Sequence, residues 1–189
     1  MRLLQVERKE TWINGRKYIS EILNYNHTII ADEVLFQLMK YFNNTATVAK
    51  GGTLFLTKDN VTEVKNDLNK LETIINSKKA ELFPDIAVYS DYNQRFSKGF
   101  IGVPALVVEI LSQENLAYDA IIKKELYQEY GVKEYWIIDT LVSKVRVFRL
   151  NSNKYKLIFE YSFLEVINSS TFKGLKVDLK EIELIEDVL

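Results

Sequence analysis

The fold of this chain can be predicted outward from residues 102–139, GVPALVVEILSQENLAYDAIIKKELYQEYGVKEYWIID. Residues 104–111 form an apolar run that contains one carboxylate, which predicts a strand buried on both faces. Residues 116–130 are predicted to form a helix, because Gly131 is a typical helix-ending residue. The β-rich residues 134–140 follow. This alternation of strand and helix predicts helices packed on a mixed sheet.

The residues before this segment predict a hairpin, two helices and two β-rich stretches. Asn14-Gly15 is typical of a tight turn between two strands. Gly51-Gly52 interrupts a β-rich stretch, which is either one strand with a bulge or two strands around a turn. The remaining predictions are helices over residues 27–43 and 60–80, a short strand over 85–89 and a polar loop over 90–102.

Three β runs after the central segment predict an antiparallel meander at its C-terminal side. They cover residues 134–140, 144–150 and 154–162 and are separated by turn-like polar residues. The expected fold class is therefore α/β or α+β, with a mixed central sheet flanked by helices. At 189 residues, the chain is expected to form one domain over residues 1–189.

The composition excludes several kinds of site. The chain has no cysteine and one histidine, His27, which excludes disulfides, thiolate zinc sites and cysteine nucleophiles. A serine hydrolase is set aside because the chain lacks a Gly-x-Ser-x-Gly elbow and a second histidine. Carboxylates and carbonyls would have to hold any metal, and they suit Mg²⁺ or Mn²⁺.

Charge and hydropathy bear on partners and location. The net charge of −1 neither favours nor excludes nucleic acid as a partner. No stretch approaches the roughly 18 to 20 apolar residues of a membrane helix, and the N-terminus has no apolar signal-peptide core. We therefore expect a cytoplasmic protein that does not contact a membrane.

Two acidic residues are the candidates for chemistry. Glu109 lies within the buried run, where an ionised carboxylate requires a cation, a metal ion or a cleft. An internal salt bridge or an edge strand facing water would also explain it. Asp85 directly follows Pro84 at the mouth of another predicted strand. Carboxylates on two neighbouring strands could share one Mg²⁺ and leave positions for water and a phosphate oxygen.

The chain resembles a known group of nucleases at these positions. Pro84-Asp85 and Glu109-Ile110 resemble the PD-(D/E)XK superfamily, although Leu111 stands where that pattern has lysine. Residues 102–139 resemble its bacterial Uma-two branch of restriction endonucleases, in which the next helix supplies the lysine. The resemblance extends weakly over nearly the whole chain and is specific over residues 84–139. It implies a restriction-endonuclease-like fold.

Matching the branch position by position places the relocated lysine at Lys123, with Lys124 as the adjacent alternative. Lys123 shares a helical face with Asp119 and Tyr127, so it can point back at the strand that carries Glu109. From spacing alone, a solvated lysine paired with Asp119 is an equal alternative.

The resemblance implies an activity and its cofactor. Asp85, Glu109 and the backbone carbonyl of Ile110 are expected to hold Mg²⁺ or Mn²⁺, with Lys123 beside the attacking water. The expected reaction is hydrolysis of phosphodiester bonds, with DNA as the favoured substrate and 5′-phosphate ends. Cleavage of both strands would require two sites, which a homodimer would provide. The rival hypothesis is an inactive nucleic-acid-binding or assembly module on the same fold.

Several further residues receive weaker assignments. Glu33, on the first predicted helix, is a possible accessory acid, as that helix often supplies one in the superfamily. Ser112 could contact phosphate or cap the next helix. His27 is expected to be a helix-entry or structural residue. Tyr127 and Trp136 are expected to pack in the core.

Overall fold

The central sheet forms around the strand that contains Glu109. The structure is a computed structural model and describes residues 8–21, 25–111 and 118–185. This sheet has six strands, and the strand of Glu109 is parallel to the strand after it and antiparallel to the one before it. From edge to edge the strands are β12 Lys154–Ser162, β11 Lys144–Asn151, β10 Glu134–Asp139, β9 Leu106–Leu111, β6 Ile86–Tyr89 and β3 Thr47–Lys50.

One long helix packs on each face of this sheet. Successive side chains of a strand point to opposite faces, so Leu106, Val108 and Ile110 pack against α1 Tyr25–Phe42. Val107 packs on the other face with residues of α4 Tyr118–Tyr130. The predicted mixed sheet, its two flanking helices and the antiparallel meander β10–β11–β12 are confirmed.

A second six-stranded sheet, in which most strands have only two or three residues, was not predicted. The hairpin at Asn14-Gly15 is confirmed, and its two strands extend into this sheet. The prediction of a polar loop over residues 90–102 is wrong, because those residues contain two strands of this sheet. Strands of two or three residues are too short to show an alternating pattern. In spatial order the strands are β2 Arg16–Glu21, β1 Arg8–Ile13, β5 Ala80–Leu82, β4 Leu54–Phe55, β8 Gly99–Ile101 and β7 Arg95–Phe96.

The two glycines of the β-rich stretch separate strands of different sheets. Gly51 and Gly52 have φ angles of 66° and 89°, which turn the chain between β3 and β4. The alternative with two strands is therefore correct, and the single bulged strand is wrong.

The helix predicted over residues 60–80 is broken. Two helices, α2 Val61–Asn66 and α3 Leu68–Asn76, replace it. Asp67 lies between them in an extended conformation and its carboxylate accepts a hydrogen bond from the Lys70 amide, 3.1 Å away. Aspartate side chains favour such caps over helix interiors because they compete for backbone amides. Periodicity alone does not register this break.

The C-terminal residues cover the end of α1. A strand pair, β13 Val166–Asn168 and β14 Lys176–Asp178, contributes side chains to the core on the α1 side. Gln37 joins the helix to this pair by exchanging two hydrogen bonds with the backbone of Asp178, at 2.7 and 2.8 Å. Within the described ranges, no helix has both the length and the apolar character that a membrane span requires.

Gly99→Ala is expected to destabilise the protein much more than Gly131→Ala. Both glycines have positive φ, 132° and 93°, but a methyl group at Gly99 would lie 2.2 Å from the Thr53 carbonyl oxygen, whereas Gly131 faces open space. That carbonyl also accepts a hydrogen bond from the Phe100 amide, so it cannot move without cost. Backbone strain costs about 1–2 kcal/mol at either position, and the clash adds about 1–3 kcal/mol at Gly99 alone.

Urea unfolding of the two variants and the wild type measures this difference. Gly131→Ala serves as the control for strain without steric overlap. Equal losses of unfolding free energy would contradict the close approach of β8 to Thr53.

Candidate active site

Asp85 and Glu109 lie opposite each other on neighbouring strands. The antiparallel pairing of β6 and β9 sets Ile86 against Val108, so the preceding residue, Asp85, is level with Glu109. The Asp85 Oδ2 atom accepts a hydrogen bond of 2.8 Å from the amide of Ile110. Both side chains are buried, with 9% and 3% of their surfaces exposed. The two carboxylates that the sequence analysis singled out are therefore brought together where β6 begins.

Helix α4 supplies a partner to each oxygen of Glu109. The Lys123 ammonium lies 3.3 Å from Oε2, and the Tyr127 hydroxyl donates a 2.8 Å hydrogen bond to Oε1. Lys123 is 7% exposed and Tyr127 is fully buried, so a solvated Lys123 is wrong. β9 has a strand on each side, so the edge-strand explanation of Glu109 is also wrong.

Tyr127 acts as a hydrogen-bond donor in this contact. Burial raises the pKa of its hydroxyl well above the ordinary value, and the negative charge of Glu109 raises it further. The hydroxyl therefore stays protonated at neutral pH. Tyr127 was expected only to pack in the core, and this hydrogen bond to Glu109 was not predicted. Its spacing of four residues from Lys123 was the sequence signal that placed both on one helical face.

The adjacent lysine points elsewhere. The Lys124 ammonium lies over the ring of Phe148 on β11, 3.8 Å from its centroid, and burial lowers the pKa of the amine. Consecutive helical residues differ in direction by about 100°, so only one of the two lysines can face Glu109. In the structure it is Lys123.

His27 joins the site from the opposite face of the sheet. Its Nε2 atom lies 3.2 Å from Asp85 Oδ1, and the side chain is 8% exposed. The expectation of a structural residue did not include this contact, and no spacing along the chain connects His27 with Asp85. Helix α1 thus contributes a histidine to the acidic pair.

Glu33, one of the accessory candidates, is directed away from this site. Glu33 accepts a 2.6 Å hydrogen bond from Gln37, which is joined to β14. Its direction from the helix axis differs from that of His27 by about 120°. Ser112 lies outside the described residues.

The oxygen atoms around Asp85 fit a hard divalent cation. The amide of Ile110 points at Asp85. In an extended strand the carbonyl of a residue points to the same side as its amide, so the Ile110 carbonyl also points toward Asp85. Among the described residues, no group of three or more histidine, aspartate and glutamate side chains is arranged to hold a metal. Two carboxylates and a carbonyl, completed by water, match the preference of Mg²⁺ for few protein ligands.

A mixed sheet with one helix on each face, and two carboxylates opposed on neighbouring strands, defines the chain as restriction-endonuclease-like. The chain belongs to the Uma2 family, whose model, described as "Putative restriction endonuclease", matches residues 6–180. The resemblance noted in the sequence is thereby confirmed.

Solved structures with a similar fold include that of a protein from Anabaena variabilis described as a "putative nuclease". The two chains superpose with a TM-score of 0.65. The match covers 91% of this chain and 88% of that one at 16% sequence identity, so it shows the fold alone. No curated protein matches the chain.

Proposed function

We propose that this protein is a metal-dependent nuclease that hydrolyses phosphodiester bonds, with DNA as the favoured substrate. The observation that carries the proposal is the contact of Lys123 with Glu109 at 3.3 Å, in a site that also contains Asp85. Leu111 occupies the strand position at which the superfamily pattern has lysine, and Lys123 on α4 can supply that lysine instead. A homodimer would bring two such sites to the two strands of a duplex.

The roles of the residues follow from their chemistry. Asp85, Glu109 and the Ile110 carbonyl would hold Mg²⁺ or Mn²⁺. A bound divalent ion polarises a phosphate oxygen and lowers the pKa of water. The Lys123 ammonium orients the attacking water and stabilises the negative charge that develops on the phosphate. His27, 3.2 Å from the Asp85 carboxylate, would hold that carboxylate in place from the α1 side.

Cleavage assays on plasmid, linear duplex, single-stranded DNA and RNA test this function. We expect cleavage with Mg²⁺ or Mn²⁺, none with EDTA, and none by Asp85→Asn with either metal. Product ends that accept a kinase label only after phosphatase treatment would identify 5′-phosphates. Binding of nucleic acid by the wild type, with no cleavage in any metal, would instead support the inactive binding module.

A further inference from the structure

We infer that Tyr127 is a positioning residue that fixes the orientation of the Glu109 carboxylate toward its metal. This inference rests on the proposed function, because it assigns Tyr127 a task in the same site. The Tyr127 hydroxyl holds Oε1 at 2.8 Å while Oε2 lies beside Lys123 at 3.3 Å. Two donors on successive turns of one helix therefore determine the plane of the carboxylate.

The hydroxyl is held in place by the packing of its ring. Tyr127 is fully buried, and its ring lies 5.5 Å from that of Tyr135, centroid to centroid. Tyr135 in turn packs against Tyr155 and Phe148 at 5.8 and 6.2 Å. A ring enclosed in this way cannot swing away from Glu109, so the position of its oxygen is set by the core.

Such support has a measurable effect on metal sites. A glutamate side chain has several rotatable bonds, and a fixed hydrogen bond removes alternative orientations before the metal arrives. Removal of a partner that orients a metal ligand typically weakens metal affinity or activity by about 10- to 100-fold. A tyrosine that merely fills space would show no such effect on removal of its hydroxyl.

The same hydrophobic core contains a matched control. Tyr89 on β6 is also fully buried and belongs to the same core as Tyr127. Its hydroxyl has no hydrogen-bond partner among the described residues. Tyr89→Phe therefore deletes a buried hydroxyl from the same environment without changing a contact to Glu109.

The experiment compares Tyr127→Phe, Tyr89→Phe and the wild type by calorimetric titration with Mn²⁺, by cleavage rate against Mg²⁺ concentration and by thermal unfolding. Tyr127→Phe is expected to weaken Mn²⁺ binding about 10- to 100-fold and to raise the Mg²⁺ concentration for half-maximal cleavage similarly. Tyr89→Phe is expected to stay within about twofold of the wild type in both.

Three results separate this inference from the proposed nuclease function. Mn²⁺ affinity of Tyr127→Phe equal to that of Tyr89→Phe would overturn the positioning role, whatever its melting temperature. A wild type that binds Mn²⁺ but cleaves nothing would overturn the nuclease alone, and a selective affinity loss in Tyr127→Phe would still support positioning. A folded wild type that does not bind Mn²⁺ would overturn both.

Discussion

Glu109→Gln is expected to reduce cleavage by more than about 100-fold. Loss of a group that merely orients a metal ligand costs about 10- to 100-fold, and this change removes the charge of a proposed ligand itself. The glutamine amide keeps the size of the side chain and its place in β9, so the sheet retains its packing. Cleavage rates at saturating Mg²⁺ measure the loss.

Destabilisation has to be separated from loss of chemistry in this variant. Glu109→Gln removes the carboxylate that lies 3.3 Å from the buried Lys123 ammonium, and removal of one partner of a buried pair costs up to about 3–5 kcal/mol. The double variant Glu109→Gln/Lys123→Met removes both charges and is expected to regain stability while it remains inactive. Assays at temperatures below the unfolding transition of each variant make the comparison valid.

A second buried carboxylate is the control for this experiment. Glu134 at the start of β10 is fully buried, and neutral donors hold it: the Trp136 indole at 2.6 Å and the Ser170 hydroxyl at 2.7 Å. Glu134→Gln alters a buried carboxylate of the same sheet, at its other end, and is expected to retain cleavage. Equal inactivation of both variants would mean that general damage to the core explains the loss.

Lys123→Met is expected to slow cleavage by about 100-fold or more, because it removes a fixed positive charge from beside the proposed position of the reacting phosphate. Mn²⁺ binding is expected to persist, since lysine is not a ligand and loss of a cation near two carboxylates does not weaken their attraction for a metal. Single-turnover rates and a Mn²⁺ titration of the variant test the two halves of this prediction.

Lys124→Met is the matched control on the adjacent residue. Its ammonium lies over Phe148 and not beside Glu109, so cleavage should be unchanged. The stability cost should be limited to the cation–π contact, about 0.5–1 kcal/mol. A rate loss in Lys124→Met, with Lys123→Met active, would assign the lysine role to the other residue and contradict the arrangement described above.

The long elements could be predicted because their burial repeats along the chain. Helix α1 places apolar residues on one face over five turns, and β9 is apolar on both faces apart from Glu109. Most of the second sheet shows no such repeat, since strands such as β4 and β7 have two residues each. The break at Asp67 was not predicted for a related reason. The apolar periodicity continues on both sides of Asp67, and a single capping side chain interrupts the helix without changing that periodicity.

The candidate site divides in the same way. Glu109 could be found because a carboxylate in an apolar run is anomalous, and Asp85 and Lys123 because a family pattern places them. Tyr127 was on the expected helical face, but nothing local distinguishes a packed ring from one whose hydroxyl meets a carboxylate. His27 had no signal at all, since its partner is 58 positions away.

The central sheet, its two helices and the residue types available for chemistry could be predicted from the sequence, because local periodicity and composition reflect which positions are buried. Three contacts became known from the arrangement in space: Lys123 and not Lys124 faces Glu109, His27 contacts Asp85, and Glu33 points elsewhere. Those contacts depend on the relative rotation of helices and strands that are distant in the chain. That rotation is set by the packing of the whole core, which no single segment encodes.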